Sequence, residues 1–137
     1  MEIQLKRTGN MKFEAVGAND NTATVDGPVK SGGTEEGLRP METMLVALAS
    51  CSAMDIVHIL NKQRQELDDL QITAKGVRAD AIPAVFTDIA LHYEASGNVD
   101  PEKLKRAAQL SVENYCSVAA MLKDSVKVTY TTSVKTG

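Results

Sequence analysis

An α+β fold in a single domain is predicted by three observations. Strand-like alternation marks both ends of the chain, one long apolar helical pattern occupies its middle, and 137 residues is a common size for one domain. The domain is taken as residues 1–137, since no repeat, low-complexity segment or linker divides them.

Residues 1–27 read as a β-meander. Ile3 and Leu5 alternate with charge, Met11 and Phe13 follow the turn signal Thr8-Gly9-Asn10, and Thr22 to Val25 follow Asn19-Asp20-Asn21. Residues 26–39 carry four glycines and one proline and look able to bury almost nothing, so a long loop is expected. Pro40 suits the first turn of a helix and Glu42 its positive end; with no Gly or Pro until Gly76, the first helix is expected from Pro40 to about Arg64.

Leu70–Lys75 and Phe86–Tyr93 alternate strictly and predict a hairpin. Asp100 as N-cap and Pro101 at the first helical position open a second helix to about Asn114. Cys116–Leu122 either continues that helix or opens a short new one, and Val126–Thr131 alternates as a last strand. The expected order is β-β-β-α-β-β-α-β.

Charge and composition narrow the function. A net charge of −3 and a pI near 5.4 offer no concentrated basic face for nucleic acid or anionic lipid. The N-terminus lacks the apolar stretch of a secretory signal, and the Met44–Met54 run is too short to span a bilayer, so a cytoplasmic protein with no membrane partner is expected. The first half of the long helix is apolar nearly all round and needs cover on every side. One sheet and one further helix cannot supply it, which predicts a homodimer.

Several chemistries find no support in the residues. No GxSxG elbow is present, no CxxC or HExxH spacing suggests a metal, and Gly32-Gly33 is followed by neither GK[ST] nor a βαβ pattern. His58 and His92 are read as structural, as is Asp55, one turn after Cys51, which must pair, reach water or hold a cation at a dimer interface. The two cysteines, Cys51 and Cys116, are far apart in sequence and are expected to start as reduced thiols. On spacing alone Cys51 reads as a small buried hydrophobe rather than a reactive group.

Two segments decide between these readings. Gly37-Leu38-Arg39-Pro40-Met41-Glu42-Thr43-Met44-Leu45, leading to Ala49-Ser50-Cys51-Ser52-Ala53-Met54-Asp55, and Tyr115-Cys116-Ser117-Val118 resemble signatures of the OsmC/Ohr superfamily. The element order and cysteine separation resemble that family as well. The resemblance implies an intertwined homodimer with two central helices and a thiol-dependent peroxidase acting on organic hydroperoxides. By the same resemblance Cys51 is the peroxidatic cysteine, which becomes a sulfenic acid, and Cys116 resolves it as a disulfide. A dithiol reductant, for example a lipoylated protein, closes the cycle, and no cofactor or metal is implied.

The catalytic set carried over is Cys51, Cys116, Arg39 and Glu42. Arg39 is the cation expected to stabilise the thiolate, with Arg7 and Lys12 behind it. In the well-studied peroxidases a glutamate directly follows the proline; here Met41 holds that place and Glu42 lies one step, about 100°, further round the helix. Two other uses of the same fold stay open: a redox sensor with slow turnover, and a module whose apolar pocket binds a hydrophobic ligand.

Overall fold

The computed structural model describes residues 1–135 and resolves into two compact units, residues 1–44 and 45–137. In the first unit β1 (Gln4–Arg7), β2 (Phe13–Val16) and β3 (Thr22–Val25) form the expected antiparallel meander, in the order β1-β2-β3. Short strands joined by tight polar turns follow directly from the Thr8-Gly9-Asn10 and Asn19-Asp20-Asn21 signals.

The loop after β3 is more ordered than its glycines suggest. Asp26, expected to bury nothing, is 2% exposed, and its carboxylate accepts from the backbone N–H of Gly27 (2.7 Å), Thr34 (3.2 Å) and Glu36 (3.3 Å) and from the Thr34 hydroxyl. A carboxylate can be buried when donors satisfy it, and here those donors are the loop's own amides. The turn also brings Gly33 against the Gly27 carbonyl, where any Cβ would collide.

The helix α1 runs Pro40–Lys62, ending two residues before the expected Arg64. Arg64 itself adopts a left-handed φ of 56°, a stop that no glycine announces in the sequence. By length and composition α1 is apolar enough to cross a membrane, which the shorter Met44–Met54 run does not suggest. One face of it is seated on the fold: Leu48, Ser52, Ile56 and Leu60 recur every four residues and are fully buried. The predicted cover on all sides is not met within one chain, where Val46 and Met54 stay 50% and 71% exposed.

The second unit also contains β4 (Glu66–Arg78), β5 (Phe86–Asn98), α2 (Pro101–Leu110), α3 (Ser117–Leu122) and β6 (Lys127–Lys135). The predicted hairpin forms, with β4 antiparallel to β5 and longer than its alternating segment at both ends. β5 is central and pairs with β6 in parallel, which demands the crossover that α2 and α3 provide. Ile89, Leu91, Tyr93 and Ala95 alternate inward from β5 and are buried, giving the sheet one packed face.

The Asp100 carboxylate caps α2 by accepting from the Glu102 N–H at 2.9 Å, with Pro101 next to it. The helix ends at Leu110 rather than Asn114. Residues Ser111–Tyr115 widen into a π-turn, closed by the Cys116 N–H donating to the Ser111 carbonyl at 2.7 Å, and α3 is a new helix rather than a continuation.

Candidate functional site

Cys51 sits in the middle of α1, half-buried, and Cys116 is the N-cap of α3, 2% exposed. Although 65 positions separate them in the chain, Cys51 lies close enough to act on the Cys116 thiol, and neither cysteine is in a disulfide. Cys116 follows the π-turn, leaves the helical spiral in an extended conformation (ψ 113°) and caps α3. Its Sγ accepts from the Ala119 N–H at 3.4 Å.

The pair is electrostatically unequal. Burial pushes the Cys116 thiol up to about 11, an effect that the Ala119 N–H partly offsets and that neighbouring Cys51 and its negative charge reinforce. Cys116 is therefore a proton-holding partner beside Cys51. Two neighbouring thiols, one of them held as S–H, can close into a disulfide once the other is oxidised.

A buried polar chain supports the pair. Tyr93 Oη, from β5, donates to Ser52 Oγ at 2.6 Å, and Ser52 Oγ donates to the Leu48 carbonyl at 2.9 Å. Ser111 Oγ lies 3.1 Å from the Ser52 carbonyl and 2.9 Å from Asp55 Oδ2, so its single proton is shared between these two acceptors. Desolvation raises the Tyr93 hydroxyl to about 12 despite its bond to Ser52. The sequence demanded a partner for Asp55, and Ser111 is one; Ser52 lies in the Ala49–Asp55 signature but with no role assigned to it, and Tyr93 and Ser111 carried no motif that marked them.

Beside Cys51 in sequence, Ser50, Ala53 and Met54 join Val57, Leu70 and Ile72 in lining an open, almost wholly apolar groove of 430 Å³ between α1 and β4. His58 is exposed on α1. His92 is held on the sheet between Thr131 Oγ1 (2.6 Å) and Ser133 Oγ (2.9 Å), in keeping with a structural role.

Arg39 and Glu42 belong to the first unit. The Arg39 guanidinium pairs with Glu35 at 2.7 Å, and Glu42 Oε1 accepts the Arg39 N–H at 2.9 Å, the reach-back of a capping box at the start of α1. Arg7 is bound to Asn10, and Lys12 is paired with Glu36 at 3.5 Å.

Known proteins share this architecture. The chain is 35% identical over 135 residues to Protein YhfA of Escherichia coli, covering 98% of each. A hypothetical protein from Aquifex aeolicus superposes with a TM-score of 0.82 at 35% identity, over 98% of this chain and 97% of that one. An organic hydroperoxide resistance protein OsmC from Legionella pneumophila shares the fold, with a TM-score of 0.71 at 19% identity over 99% and 98% of the two chains. The family described as OsmC-like protein matches residues 33–131, and with relatives of this identity and coverage the chain belongs to that family.

Proposed function

We propose that the protein is a cysteine-based peroxidase that reduces organic hydroperoxides at the expense of a dithiol. The observation that carries this reading is that Cys51 stands beside Cys116 and helps to hold its thiol protonated. Family membership supports it, as does the hydroperoxide-resistance name borne by the Legionella relative.

The Cys51 thiolate attacks the terminal peroxide oxygen; the O–O bond breaks, the alkoxide takes a proton and leaves as alcohol, and Cys51 becomes a sulfenic acid. Its negative charge is now gone, and with it part of what keeps Cys116 protonated. Cys116 sulfur then attacks Cys51 sulfur, the S–O bond breaks, and hydroxide departs with the Cys116 proton as water. An external dithiol, such as a lipoylated protein, restores both thiols by exchange. The apolar groove at Ser50 and Met54 favours a hydrocarbon-bearing substrate over hydrogen peroxide, which has no tail to bury.

Arg39 is the guanidinium proposed to stabilise the thiolate, and Glu42 the carboxylate that completes the set. The exposed apolar residues of α1 support a homodimer, and reduced cysteines support a cytoplasmic setting. The test is steady-state consumption of tert-butyl hydroperoxide, with hydrogen peroxide in parallel, by pre-reduced protein under excess dithiol. Turnover that prefers the organic peroxide and disappears in Cys51→Ser is expected, with Cys116→Ser impaired. The groove also suits a binding module for a hydrophobic ligand; under that reading no peroxide is consumed and Cys51→Ser changes nothing.

A further inference from the structure

Only two hydrogen bonds and one peptide linkage separate the backbones of the two cysteines. The Cys116 N–H donates to the Ser111 carbonyl at 2.7 Å, closing the π-turn. The hydroxyl of the same Ser111 shares its one proton between the carbonyl of Ser52, the residue after Cys51, and the Asp55 carboxylate one turn further along α1. Ser111 is fully buried, so its hydroxyl has no water to turn to if these partners are lost.

We infer that Ser111 and Asp55 are positioning residues, a latch that holds the π-turn against α1 so that the Cys116 sulfur faces the Cys51 sulfur. The assignment rests on the reading of Cys51 and Cys116 as a reacting pair. A π-turn closes with i→i+5 bonds and is easily lost to an ordinary α-helical turn, which would rotate Cys116 by a full residue, about 100°. Something must fix it in register, and side-chain hydrogen bonds to the opposite helix at its first residue do so. Neither Ser111 nor Asp55 is a group that meets the peroxide.

The test measures disulfide closure without peroxide. Reduced protein is equilibrated in glutathione redox buffer; glutathione disulfide forms a mixed disulfide at Cys51, and the Cys116 thiol displaces glutathione from it to give the internal disulfide and free reduced glutathione. The ratio of internal to mixed disulfide, read by mass, reports how well Cys116 is placed. Ser111→Ala and Asp55→Ala should each lower that ratio by about tenfold or more, since misplacing a reacting group by about 1 Å can cost about a hundredfold. Asp55→Asn keeps an acceptor oxygen for the Ser111 hydroxyl and should retain the wild-type ratio. If both alanine variants fold with reduced thermal stability and an unchanged ratio, Ser111 and Asp55 merely support the fold and the latch is refuted; Asp55, being only partly buried, keeps this decision open even if Ser111→Ala does not fold. Failure of the wild type to consume tert-butyl hydroperoxide would sink the peroxidase reading, whereas the glutathione ratio would still decide for or against the latch.

Discussion

The thiol of Cys116 lies beside that of Cys51, and the pair is lopsided: Cys116 is almost fully enclosed and holds its proton up to about 11, whereas Cys51 is half-open on α1. Part of that upward displacement is the charge on Cys51 itself. In Cys51→Ser the Cys116 thiol should therefore titrate below about 11 while staying above its ordinary value of 9.0, because burial remains. Thiolate absorbance against pH checks this, and an unchanged titration would mean that the two thiols do not interact.

The same displacement links folding to alkaline pH. The folded value lies above the unfolded one, so the stability it contributes is intact below about pH 9 and is lost as pH rises towards about 11. Cys116→Ala removes this contribution and should flatten the fall of the melting temperature across that window. Tyr93, raised to about 12, governs the next step upward and should leave a residual fall in the variant.

Tyr93 and Ser52 form a buried pair whose two halves are not equivalent. Tyr93→Phe removes a donor and leaves Ser52 Oγ still bonded to the Leu48 carbonyl, a loss of about 1 kcal/mol. Ser52→Ala strands the Tyr93 hydroxyl in the core and should cost more, about 1–3 kcal/mol. Adding Tyr93→Phe to Ser52→Ala should then restore stability, and denaturant titration of the three variants distinguishes this from simple additivity.

Asp26 predicts an acid response confined to the loop around it. The Thr34 hydroxyl, followed by the Gly27, Glu36 and Thr34 amides, holds its carboxyl below the ordinary 3.8 against the opposing effect of burial. Its contribution is thus present above the ordinary carboxylate range and lost as pH falls through the lowered value. Hydrogen exchange at Thr34 and Glu36 should stay slow at pH values where free aspartate is already half-protonated. In Asp26→Asn, where a donor NH2 replaces one of the two acceptor oxygens, both amides should lose protection relative to the wild type and the pH dependence of that protection should disappear.

At the other end of the chain, Asp100→Ala should cost about 1 kcal/mol, a few degrees in melting temperature, through loss of the α2 cap at the Glu102 N–H. Asp100→Ser should recover most of it.

How far the sequence reveals this architecture depends on the range of the interaction. Local signals carry well: the turn residues set the β1-β2-β3 meander, Asp100-Pro101 set the start of α2, and strict alternation set the β4–β5 hairpin. The end of α1 is not legible because Arg64 takes a left-handed conformation normally signalled by glycine. The π-turn is hidden because Val112, Glu113 and Asn114 are unremarkable in a helix, and what widens the spiral is not encoded in their spacing. The need of Asp55 for a partner is legible from its apolar surroundings; that the partner is Ser111, 56 residues on, belongs to tertiary structure. Likewise the Cys51–Cys116 pairing comes from resemblance, and no property of either segment alone contains their proximity.

A single turnover bears most closely on the proposed chemistry of Cys51 and Cys116. Pre-reduced protein is mixed with one equivalent of tert-butyl hydroperoxide without added reductant, quenched with a thiol-alkylating agent and weighed. A reacting pair should show the loss of two hydrogens, no alkylation, and a peptide map joining the segments that carry Cys51 and Cys116. Recovery of protein alkylated as fully as an untreated control, with the peroxide intact, would contradict the peroxidase assignment.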